Sequence, residues 1–134
     1  MSSKFLRVDL GTMTGDNDTK HILRASGAYG GITIIDAWYI PAAATNAGTS
    51  HALYLLNYGS SGTALAASGT IASVGGTVDP FAADTPKQFT ITAAQAFLDS
   101  GEWLVLRKTE QNNSEITADA SVIIEYADGI VTQG

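Results

Sequence analysis

The chain has 134 residues, no cysteine and a formal net charge of −6. This length suits a single domain with one sizeable core. The lack of cysteine excludes disulfides and thiolate metal sites. Because no cluster of Lys and Arg offsets the acidic balance, the composition also argues against a nucleic-acid partner and an anionic membrane surface.

Hydrophobic residues make up 45% of the chain, but 20 residues are Ala and 14 are Gly, which bury little area each. Charged residues reach only 15%, a sparse charge for a highly soluble surface. This balance indicates a protein that works in contact with other proteins. No signal peptide and no apolar run of about 20 residues is visible, so we expect synthesis in a cytoplasm.

Residues 1–20 are predicted to form an N-terminal arm, and residues 21–134 the domain. Apolar positions within Lys4–Leu10 allow a short edge strand, whereas residues 11–20 have the composition of a loop. On this interpretation, deletion of residues 1–19 would leave the fold intact.

The rest of the chain reads as a series of short strands separated by Gly-, Pro-, Asn- and Asp-rich turns. Residues 32–40 predict a central strand with Ile32, Ile34 and Trp38 on one face and Tyr39 on the other. Residues 51–58 predict a second strand, with Leu53 and Leu55 on the same side.

A helical turn is predicted over residues 93–100. Thr92 and Gln95 have the spacing of a capping box, and Gly101 stands where a C-cap glycine would. Dense β-forming sequence follows in residues 102–109 and 121–126. With about eight strands and one short helical turn, the chain is predicted to be all-β: an antiparallel, jelly-roll-like β-sandwich.

No pattern predicts a catalytic, cofactor or metal site. The two histidines, His21 and His51, stand alone at predicted strand starts, and no nucleophile elbow, zinc-protease or phosphate-loop motif occurs. We therefore expect no enzyme activity and no cofactor. A cupin-like metalloenzyme would need more histidines.

Aromatic residues are the candidates for contact with a partner. Trp38 and Trp103 lie among apolar neighbours and are interpreted as core residues, whereas Tyr29 and Tyr58 lie beside turns and are expected to be exposed. In the arm, the apolar side chains are predicted to bind a partner: Phe5, Leu6, Val8 and Leu10.

Four stretches together resemble the small jelly-roll head decoration (cement) proteins of tailed bacteriophages. They are residues 32–40, His51-Ala-Leu-Tyr-Leu-Leu-Asn-Tyr-Gly59, Gly69-Thr-Ile71 and Thr92-Ala-Ala-Gln-Ala-Phe-Leu-Asp-Ser-Gly-Glu-Trp-Leu-Val-Leu106. The resemblance covers about residues 21–130 and brings no catalytic residues with it.

The resemblance implies a virion structural protein that decorates and stabilises the capsid exterior by binding across capsid subunits. Its partners would be the major capsid protein and two further copies in a homotrimer, and its location the capsid surface after synthesis in the host cytoplasm. The alternative is a receptor- or carbohydrate-binding jelly-roll module of a phage tail or head fibre.

Overall fold

The computed structural model describes residues 3–13, 18–25, 30–42, 51–63, 69–75, 84–110 and 117–129. Within them are ten β-strands and one 3-10 turn, Ala93–Gln95. The strands are β1 (Lys4–Met13), β2 (Asp18–Arg24), β3 (Gly31–Ile40), β4 (His51–Asn57), β5 (Thr70–Gly75), β6 (Lys87–Gln88), β7 (Thr90–Ile91), β8 (Phe97–Asp99), β9 (Trp103–Glu110) and β10 (Thr117–Asp128).

The strands form two antiparallel sheets. Sheet A has the order β1, β10, β3, β6, with β8 also paired with β3; sheet B has the order β2, β9, β4, β5, β7. Strands of the first half pair with strands of the second half in nested order: β1 with β10, β2 with β9, β3 with β6 and β8, and β4 with β5. This nesting, rolled into two sheets, is a jelly roll. The predicted antiparallel, jelly-roll-like β-sandwich is confirmed.

One hydrophobic core lies between the sheets, because alternate side chains of each strand point inward. Both sheets supply fully buried aliphatic side chains, and the side of β4 that carries both Leu53 and Leu55, as predicted, faces the core. The largest include Ile32, Ile34 and Ile124 of sheet A and Leu53, Leu55, Leu104 and Leu106 of sheet B.

The N-terminal residues differ from the arm expected from the sequence. Strand β1 pairs with β10 from Lys4↔Tyr126 to Met13↔Thr117, and the proposed boundary after residue 20 falls inside β2. Leu10 and Met13 are each only 2% exposed and belong to the core. Deleting residues 1–19 would therefore remove core side chains, which corrects the expectation that the fold survives.

The helical turn is shorter than predicted. Thr92 makes no side-chain capping hydrogen bond, and the turn ends at Gln95. Residues Phe97–Asp99 are strand β8, which pairs with Gly31–Thr33 of β3. The sheet edge of β3 offers this segment backbone hydrogen bonds, and tertiary pairing overrides the local helical signal.

Strand β3 contains a bulge that the period-two pattern missed. Its register with β10 shifts between Glu125↔Asp36 and Tyr126↔Ile34. An extra residue in one strand reverses the faces beyond it. Tyr39 is consequently in the core at 2% exposure, while Trp38 points outward and is half-buried, which corrects its assignment as a core residue.

Candidate interaction surfaces

The outward face of sheet A carries a partly exposed aromatic and aliphatic surface. Strands β1, β10 and β3 lie side by side, and the outward positions of one row are Arg7, Ile123 and Trp38. Phe5 lies in the next row of β1 and is 65% exposed. We call the side chains of Phe5, Trp38 and Ile123 the Phe5–Trp38 surface.

The two rings of this surface pack together above β10. Their centroids are 6.5 Å apart and their planes differ by 27°, a stacked arrangement. Because β10 separates β1 from β3, the contact between the rings spans two strand spacings. Half-exposed Ile123 lies on the intervening strand β10. The rings are thus held in place while much of Phe5 remains open to solvent.

A polar rim borders the rings, because Glu125 and Asp36 share the row of Phe5 and Gln88 shares the row of Trp38. Ser3 Oγ donates to Glu125 Oε2 at 2.7 Å, and Gln88 Nε2 donates to Asp36 Oδ2 at 2.8 Å. An apolar centre with a hydrogen-bonded polar rim is the usual anatomy of a protein–protein contact. The chemistry of this face suits docking.

A second aromatic group lies on the outward face of sheet B. The ring of His21 meets the rings of Trp103 and Tyr58 edge to face, with centroid distances of 5.4 Å and 6.3 Å. His21 Nε2 is 2.6 Å from the Gly62 carbonyl oxygen, an acceptor for the ring N–H. We call His21, Tyr58 and Trp103 the His21–Trp103 cluster.

This cluster packs on its own chain. A Cβ placed on Gly62 would lie 2.8 Å from Trp103 Cδ1, so the Gly62 backbone already touches the indole ring. Leu56 and Val105 point outward beside the cluster, yet each is 0% exposed. The outward face of sheet B is therefore covered at Leu56 and Val105, whereas His21 is exposed. Trp103 is half-buried outside the core cluster, contrary to its predicted role.

The predicted partner-binding residues are distributed over several environments. Phe5 is exposed on the outward face of β1; Leu6 and Val8 point inward and are half-buried; and Tyr58 is half-buried in the His21–Trp103 cluster. Leu10 is buried in the core, which corrects its assignment as a contact residue. Tyr29 lies outside the described residues.

The sequence pattern missed Trp38 as a surface residue because the bulge in β3 leaves no mark in it. For Phe5, the sequence also carries a pattern that separates it from the other apolar residues of the arm. It shares its face of β1 with Arg7 and Asp9, whereas Leu6, Val8 and Leu10 share the other, so strict alternation separates Phe5 from the inward set.

The described ranges contain no group of three or more His, Cys, Asp or Glu side chains that could hold a metal ion. No helix within them has the length and apolar character needed to cross a membrane.

No protein-family model matches the chain, and no curated protein matches it. Among solved structures, it is similar to a chain in a structure titled "Structure of infectious bursal disease virus Gx strain", with 8% sequence identity and a TM-score of 0.36. The match covers 97% of this chain and 37% of that one, so this chain spans little more than a third of the viral chain.

Proposed function

We propose that this chain is a virion structural protein that decorates a capsid and stabilises it by binding across neighbouring major capsid protein subunits as a homotrimer. The observation that carries the proposal is the Phe5–Trp38 surface: a rigid sheet presents a 65% exposed aromatic side chain with a polar rim. The jelly-roll fold and the sequence resemblance to phage decoration proteins support the same role. The trimer, the capsid partner and the capsid-surface location rest on that resemblance.

A docking role explains why Phe5 is exposed. Aromatic residues that are held in place by neighbours lose little entropy on binding and are typical anchors of interfaces. Phe5 is held against Trp38, and Trp38 is held in β3 by pairing with Ile123 and Gln88. The surface is therefore organised for contact before any partner arrives.

Binding to shell particles tests the proposal. Particles purified from the virus that encodes this chain, stripped of it, are mixed with wild-type protein or with Phe5→Ser and sedimented. We expect wild-type protein to sediment with the particles and Phe5→Ser to bind roughly tenfold or more weakly, because truncating an interface anchor costs about 2 kcal/mol or more. Equal binding by both proteins, or none by the wild type, would reject the proposal.

The alternative, a receptor- or carbohydrate-binding module, draws on the His21–Trp103 cluster, where Tyr58 and Trp103 are half-exposed. Tyr58→Ser serves as the matched variant on the opposite sheet. Under the structural proposal it sediments with particles like the wild type. Loss of glycan-array binding in Tyr58→Ser, with particle binding indifferent to Phe5→Ser, would favour the alternative.

A further inference from the structure

Strand β1 forms an edge of sheet A. In the described part of the chain it pairs with β10 on one side, and no strand pairs with its other side. Its register with β10 is unbroken from Lys4 to Asp9, before the irregularities near Gly11. An edge strand presents backbone N–H and C=O groups that template the addition of another strand.

The outward side chains of this edge have opposite charges at neighbouring positions. Arg7 and Asp9 flank Val8, with side chains 66% and 85% exposed. Their closest approach within the chain is long, 3.8 Å from Arg7 Nε to Asp9 Oδ1. An exposed contact of this length holds neither group firmly, so both charges remain available to a partner.

We propose that the β1 edges of two copies of this chain pair antiparallel about a twofold axis through Val8. In that register Arg7 lies directly opposite the partner's Asp9, and Asp9 lies opposite the partner's Arg7. Directly opposed opposite charges stabilise an antiparallel pair, and like charges destabilise it. The charge pattern of the edge is therefore complementary to itself.

Neighbouring registers lack this complementarity. When the outward faces of both copies lie on the same side of the joined sheet, directly opposed residues must share a face. The twofold axis can then pass through Leu6, Arg7 or Val8. A centre on Arg7 sets two guanidinium groups against each other. A centre on Leu6 places Arg7 against the partner's Phe5 and leaves Asp9 without an opposed cation from the partner's β1.

Pairing at this edge would join the two A sheets into one and align the two Phe5–Trp38 surfaces on the same side. It would also cover Leu6 and Val8, which point inward yet remain half-exposed at the open edge. The inference does not depend on the proposed virion role, because it is argued from the β1 edge and its charges alone.

Charge exchange tests the register in the absence of any particle. Sedimentation velocity over a concentration series compares the wild type with Arg7→Asp, Asp9→Arg and the double variant carrying both. We expect the wild type and the double variant to associate, and each single variant to associate roughly tenfold or more weakly. An equimolar mixture of the two single variants should associate again, because one chain then carries two anions and the other two cations.

Association of the wild type and of the double variant makes the test specific to a centre on Val8, because a centre on Arg7 would oppose like charges in both. Circular dichroism checks that these exposed substitutions leave the fold unchanged. A wild type that shows no such association, or single variants that the mixture fails to rescue, overturns the inference. If the edge is occupied only when shell particles are added, its partner is a segment of another protein and self-pairing is wrong.

Disulfide trapping gives an independent readout, since the chain has no cysteine of its own. Val8→Cys would place two thiols at the twofold axis, where directly opposed Cα atoms are about 4.5–5.5 Å apart, within disulfide reach. Phe5→Cys is the control, with its two thiols about 20 Å apart in this register. Rapid cross-linking of Val8→Cys alone supports the pairing; faster cross-linking of Phe5→Cys rejects it.

Discussion

At the scale of single residues, Trp103 shows how strand alternation decides what a residue does. Leu104 and Leu106 are buried in the core, so Trp103, on the opposite face of β9, points outward. There its indole ring is enclosed by the ring of His21 and the backbone of Gly62. Trp103 therefore holds the turn after β4 against sheet B instead of filling the space between the sheets.

Gly62→Ala tests this contact. Gly62 and Gly59 have nearly the same left-handed φ, 70° and 69°, but only Gly62 would bring a Cβ against Trp103; Gly59 has nothing within 4 Å. We expect Gly59→Ala to cost about 1–2 kcal/mol from backbone strain alone. Gly62→Ala should cost about 1–3 kcal/mol more, because of overpacking against the indole ring. Urea denaturation followed by circular dichroism measures both.

A double-mutant cycle isolates the part of the Gly62→Ala destabilisation that comes from the Trp103 ring. In a Trp103→Ala background, the cost of Gly62→Ala should fall to that of Gly59→Ala, since the clash partner is gone. If the extra cost persists without the indole ring, Gly62 is constrained by something other than Trp103.

At the scale of elements, the bulge in β3 is the decisive feature. It turns Tyr39 into the core and Trp38 out to the face shared with Phe5 and Ile123. Without the bulge, the outward face of sheet A would lose the larger of its two rings. The candidate docking surface therefore depends on one inserted residue in a central strand.

Alanine substitutions at the two neighbouring aromatic positions test the bulge. Tyr39→Ala removes a core side chain and should cost about 3–5 kcal/mol. Trp38→Ala removes a larger but half-exposed side chain and should cost roughly 1–2 kcal/mol. Chemical denaturation followed by far-ultraviolet circular dichroism shows which variant loses more free energy of unfolding. A larger loss for Trp38→Ala than for Tyr39→Ala would mean that β3 continues without a change of face.

At the scale of the whole molecule, the first and last described strands close sheet A together. Strand β1 reaches β10 across nearly the full length of the chain, from Lys4↔Tyr126 to Met13↔Thr117, and the Lys4 ammonium meets the Asp128 carboxylate at 2.8 Å. That surface ion pair adds little by itself. The buried side chains of Leu10 and Met13 make β1 part of the cooperative unit.

Deletion of residues 1–13 should therefore abolish cooperative unfolding. The deletion removes two core side chains and uncovers Val122 and Ile124 of β10, both 0% exposed. Losses of several kcal/mol consume most of the stability of a domain this size. Calorimetry should show no sharp transition, whereas Phe5→Ser in the intact chain should retain one. A sharp transition in the deleted protein would restore the interpretation of these residues as a separate arm.

The sequence by itself determined the fold class. Short strand patterns, turn residues between them and the lack of long helical periodicity predict an antiparallel sandwich, and the shared face of Leu53 and Leu55 follows from simple alternation. These features are local, because the period-two pattern of each strand lies within its own consecutive residues. The resemblance to phage decoration proteins came from the same local patterns.

Only the tertiary structure decided which face each aromatic ring occupies. The β3 bulge is set by pairing with β10, the strand at Phe97–Asp99 by pairing with β3, and the place of β1 by pairing with a strand more than a hundred residues away. Such non-local pairings leave no periodic signal in either partner strand. For that reason, the sequence predicted the sandwich but placed Trp38 and Trp103 in the core, while the fold set both outside it.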